Sequence, residues 1–99
     1  MDEFHRSDKF LRLARAAAKR SGYDPSKLEL STDSKHKLQY NSPDGMRRFG
    51  ARGYGDFHYY STFEPAKADQ KRRAYRARAG AIQDSGKYSP NQLAIAILW

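Results

Sequence analysis

KLQYNSPDGMRRFGARGYGDFHYY, residues 37–60, changes character half-way along. Its first part reads as a β-hairpin. KLQYN alternates apolar and polar positions, SPDG supplies a turn, and MRRFGA restarts the strand. Pro43 presets φ for the first central position of the turn, Asp44 bonds locally, and Gly45 tolerates positive φ. The second part, FGARGYGDF, carries three glycines in six residues, which weakens any regular strand. It predicts a shaped loop held in place by aromatics, since five of the thirteen aromatic residues fall between Phe49 and Tyr60.

Working outward, KLELST forms a short strand before this hairpin, and Asp33-Ser34 turns the chain between them. The result is a three-stranded antiparallel meander over residues 27–32, 36–41 and 46–51. Its apolar face comprises Leu28, Leu30, Leu38, Tyr40 and Met46, with Phe49 out of phase, so a bulge is expected. One such sheet needs helices to cover it. Residues 8–20 supply the first: Phe10, Leu13, Ala14 and Ala17 repeat on one face, Ser7 suits the N-cap, and Ser21-Gly22 the end. Residues 65–79 supply the second, with Pro65 at the first position and Ala68, Tyr75, Ala79 and Ile82 on one face. Six Lys or Arg against one acid lie between Lys67 and Arg78. Ser89-Pro90 opens the last helix, Gln92 completes a capping box, and Leu93, Ile97 and Leu98 form an apolar face ending at Trp99. The expected class is α+β.

Bulk properties narrow the function. Ninety-nine residues make a single small basic domain of 1–99, with an N-terminal helix in 1–21. Mean hydropathy is −0.97, polar for a folded chain, yet 13% aromatic content argues against disorder. A formal charge of +8 favours polyanionic partners. The absence of cysteine excludes disulfides and thiolate chemistry. No run approaches a membrane span, and the first twenty residues lack the apolar core of a secretory signal.

Catalysis finds little support. His5, His36 and His58 have no metal-ligand spacing, and Asp56 and His58 read as neighbours on one face of a strand. No nucleophile, base and orienting group fall into a set, so no catalytic residue, metal, cofactor or small-molecule substrate is expected. Nucleic acid, DNA above RNA, is the expected partner. The candidate contacts are Lys35, Lys37, Arg47 and Arg48 on the hairpin and Lys71, Arg72, Arg76 and Arg78 on the basic helix. Tyr54, Phe57, Tyr59 and Tyr60 are candidates for stacking on bases or for an interface. The alternative is a minor capsid piece whose basic surface meets acidic capsid proteins, because Arg, Tyr, Phe and Trp also anchor protein interfaces.

Four stretches in order carry a resemblance. Tyr40…Ser42-Pro43-Asp44-Gly45 comes first, then Phe49-Gly50-Ala51…Gly53-Tyr54-Gly55-Asp56-Phe57. Lys71-Arg72-Arg73-Ala74-Tyr75…Ala77-Arg78 follows, and Tyr88-Ser89-Pro90-Asn91-Gln92-Leu93-Ala94…Ile97-Leu98-Trp99 closes the series. Together they resemble a small domain of uncharacterised function that recurs in large nucleocytoplasmic DNA viruses, including algal viruses and giant viruses of protists. The resemblance covers residues 22–99. It implies a viral protein located in the virion or the infected host cell, and it brings no catalytic residues with it.

Overall fold

In a computed structural model of the chain, residues 1–82 and 86–99 are described. A single turn, α1 (Asp2–His5), leads to Ser7, whose hydroxyl accepts the Phe10 N–H at 3.2 Å and opens α2 (Asp8–Arg20). Gly22, at φ +85°, closes that helix. Its N–H donates to the Lys19 carbonyl, and the Tyr23 N–H donates to Ala18 at 2.9 Å. This is the paired-bond stop that a left-handed residue makes possible. Phe10, Ala14, Ala17 and Ala18 are buried along one stripe, the face that the apolar spacing marks out.

After a short 3₁₀ turn, β1 (Leu28–Leu30), β2 (His36–Ser42) and β3 (Gly45–Ala51) form an antiparallel meander in sequence order. Pro43 and Asp44 make a two-residue connection, with the Ser42 hydroxyl donating to the Gly45 carbonyl at 2.6 Å. Leu38 pairs with Leu30 on one side and Phe49 on the other, and Tyr40 pairs with Leu28 and Arg47. The expected bulge is therefore corrected. All the β2–β3 partners keep one register, so Phe49 is in phase and Met46, opposite Asn41, is the residue on the wrong face, 43% exposed.

The loop expected after β3 is shorter than the sequence suggests. Residues 57–63 form a further helix, α3 (Phe57–Phe63), because Asp56 caps it by accepting the Tyr59 N–H at 2.9 Å. Asp56 and His58 thus stand at a helix start, not on a strand. α4 (Pro65–Gly80) follows, with Pro65 in the first turn. Only Ala68 and Ala79 of α4 are buried, and Ile82, expected to extend their face, is 55% exposed. The C-terminal helix α5 (Pro90–Leu93) is capped by the Ser89 hydroxyl and widens into a π-helical turn over Ala94–Leu98. That turn hands the Trp99 N–H to the Ala94 carbonyl at 3.2 Å.

The protein is α+β, its sheet covered by α2 and the C-terminal helix. Phe10, Leu28, Leu38, Phe49, Leu93, Ile97 and Leu98 are among the fully buried side chains. Each stabilises the fold by roughly 1.5–3 kcal/mol relative to exposure. Tyr23, Tyr40 and Tyr88 close one end, with ring centroids 5.6–5.9 Å apart. Residues 1–21 contribute Phe4, Phe10, Ala14 and Ala18 to this same core, so one hydrophobic cluster holds the N-terminal helices and the sheet together. Among the described residues no helix is long and apolar enough to cross a membrane.

Candidate nucleic-acid interface

Three glycines decide where the aromatics after β3 come to rest. Gly50, at φ +79°, leaves room for Leu98, whose Cδ1 would lie 2.6 Å from an added Cβ. Gly53, at φ +88°, reverses the chain. Gly55 lies flat beneath Tyr60, whose ring would meet a Cβ at 2.7 Å. The chain can then bring Tyr60 beside Trp99, with centroids 6.4 Å apart. Trp99 stacks in turn on Tyr75 of α4, at 4.6 Å and 12°.

These rings line a groove of about 630 Å³ between β3, the glycine loop, α4 and the C-terminal helix. Tyr54, 71% exposed, stands at its edge. Cations rim it: Lys35 from the β1–β2 connection, Arg48 from β3 and Arg78 from α4. Arg48 is steadied by the Thr32 hydroxyl at 3.2 Å and by Asp33 at 3.9 Å. Arg78 lies over the Tyr75 ring at 5.5 Å. Flat π-faces with guanidinium and ammonium groups around them are what a polyanion carrying aromatic bases requires.

The eight candidate cations do not form one patch. Lys35, Arg48 and Arg78 meet at the groove. Lys71 is exposed over the Tyr60 ring at 5.5 Å and does not line the groove. Arg72 and Arg76 turn towards α2, and Arg72 lays its guanidinium on Phe57 at 3.5 Å. Arg47 is half-buried opposite Tyr40. Lys37 is a correction. It is 2% exposed, and its ammonium donates to Asp56 Oδ2 at 3.1 Å, so it presents no charge to a partner.

Among the stacking candidates, only Tyr54 and Tyr60 line the groove. Phe57 is covered by Arg72, and Tyr59 packs with Phe4 and Phe63 at 6.1 and 5.0 Å. Tyr75 and Trp99 were not legible as groove residues. Their nearest signal was their place on two helices that sequence spacing alone does not bring together.

The Lys37 contact belongs to a buried cluster. Asp56 Oδ2 also lies 2.8 Å from His5 Nε2, with both side chains almost wholly buried. Burial works to raise the Asp56 carboxyl, but the His5 contact, the Lys37 charge and the Tyr59 N–H outweigh it and hold it below its usual range. Burial pushes Lys37 down, with Asp56 opposing. The cluster ties α1, β2 and α3 together. Among the described residues no three His, Asp or Glu side chains stand together as a metal site needs.

Comparisons with protein-family models, with curated proteins and with solved structures find no match to the chain.

Proposed function

We propose that the protein is a non-enzymatic, sequence-tolerant nucleic-acid-binding protein that takes a single strand, DNA above RNA, along the groove of Tyr54, Tyr60, Tyr75 and Trp99. The observation that carries this reading is the coincidence of aromatic rings, Tyr54 the most exposed of them, with the cations Lys35, Arg48 and Arg78 around one open groove. Aromatic rings accept any base face, and each stacked base is worth about 1–3 kcal/mol. Lys35, Arg48 and Arg78 meet phosphates without reading sequence. The motif resemblance supports a setting in the virion or the infected host cell of a large DNA virus.

Binding of short single- and double-stranded fragments across a salt series tests the reading. Three phosphate contacts on a single strand give a log–log slope of about −2, or a loss of about 20-fold between 50 and 200 mM salt. Single strands should bind better than duplexes, which hide their base faces. An absence of binding at low salt, with stoichiometric capture of an acidic capsid protein, would instead favour the minor capsid role.

A further inference from the structure

A second basic feature lies behind the Trp99 ring, between α2 and α4. Arg20 ends α2, and Arg72 and Arg76 stand one turn apart on α4. All three line a small recess of about 110 Å³. At about 30 Å³ for each water of the liquid, that is space for roughly four waters. That is room enough for a tetrahedral oxyanion.

Two carbonyls that line the recess are already engaged. The Ala96 carbonyl takes the Ser21 hydroxyl at 3.2 Å, and the Ile97 carbonyl takes His58 Nε2–H at 2.7 Å. None of the three arginines forms an ion pair with a described carboxylate. Arg72 Nε is buried with no hydrogen-bond partner, although buried polar groups are nearly always satisfied. The Arg72 guanidinium is held in place by Phe57, so its donors are aimed rather than mobile. Burial, with the charges of Arg76 and Arg20, pushes Arg72 below its usual range despite Asp69. Like charges one helical turn apart destabilise a helix unless something neutralises them.

We infer that this recess binds a phosphate-class oxyanion, with Arg20, Arg72 and Arg76 as its ligands. Guanidinium forks match such an anion bidentately. The site does not rest on the groove reading, since none of the groove's cations contributes to it.

The test is thermal unfolding of the full chain with inorganic phosphate against chloride at matched ionic strength. The expected result is a saturable rise in Tm with phosphate. Arg76→Ala and Arg20→Ala should each weaken the apparent affinity at least tenfold, while Arg12→Ala leaves it unchanged. Arg72 is a poor first choice, because replacing it also removes the Phe57 contact. Two oligothymidylates, with and without a 5′-phosphate, identify the source. Preferential competition by the phosphorylated strand, lost in Arg76→Ala, assigns a terminal phosphate; equal competition by both assigns backbone phosphates; competition by neither assigns a free anion. No shift beyond chloride, or the same shift in Arg76→Ala, overturns the inference. A Lys35→Ala/Arg78→Ala variant separates the two sites, since it should lose strand affinity at the groove and keep its response to inorganic phosphate.

Discussion

Tyr75 and Trp99 lie face to face, 4.6 Å between centroids and 12° from parallel, although 24 positions separate them in the chain (99 − 75). Trp99 is the sole tryptophan, so its emission reports on the groove it lines. Saturating single-stranded oligonucleotide should quench that emission, and Tyr54→Ala should raise the Kd by an amount equivalent to about 1–3 kcal/mol. Quenching titrations of the two proteins measure both effects. Unchanged emission at full binding would place the strand elsewhere.

Lys35, Arg78 and Lys37 should respond differently to truncation. Lys35→Ala and Arg78→Ala should each lower the magnitude of the log–log salt slope by about 0.7 and leave Tm nearly unchanged. Lys37→Ala should do the opposite. It strips a buried carboxylate of its ammonium, a change that costs about 3–5 kcal/mol, while binding per folded molecule persists. Denaturant midpoints beside salt-series titrations separate the two classes.

Gly50→Ala and Gly53→Ala provide a graded test of the loop. Both carry positive φ, worth about 1–2 kcal/mol against a side chain, but an added Cβ at Gly53 meets nothing within 4 Å. At Gly50 it meets Leu98 at 2.6 Å, adding an overpacking cost of about 1–3 kcal/mol. Gly50→Ala should therefore show the lower urea midpoint of the two.

His58 introduces a pH dependence. Burial lowers its pKa from the ordinary value, opposed by the Ile97 carbonyl and Asp56 and assisted by Arg20 and Arg72. The folded state then binds this proton less readily than the unfolded chain. Stability is complete above the unfolded pKa of about 6.5 and is lost as pH falls through the folded pKa. Tm should drop between pH 7 and 5, and His58→Gln should flatten that drop. Asp56, also lowered, acts in the same direction only below about pH 3.9.

The meander, α2 and the capped C-terminal helix were legible because each carries local chemistry: alternation, the Ser7 and Ser89 caps, the SPDG turn. α3 was missed because FHYYSTF has no helical apolar period, and its cap, Asp56, reads equally well as a turn residue. The grouping of cations was legible only in part. Charge along α4 is visible, but which arginine meets the groove and which meets α2 depends on tertiary placement. Lys37 was misread because a lysine beside a histidine in a polar strand looks solvated. Its partner Asp56 comes later in the chain, and His5, which shares that carboxylate, comes earlier.

The distribution of contacts also orders events in time. The hairpin needs only its own neighbours, whereas Ser21 reaches Ala96 across 75 positions and His58 reaches Ile97 across 39. Loop closure of that reach is slow relative to a two-residue turn. During synthesis the sheet and α2 can pair early, but the apolar face of the sheet is fully covered only once residues 93–98 have left the ribosome.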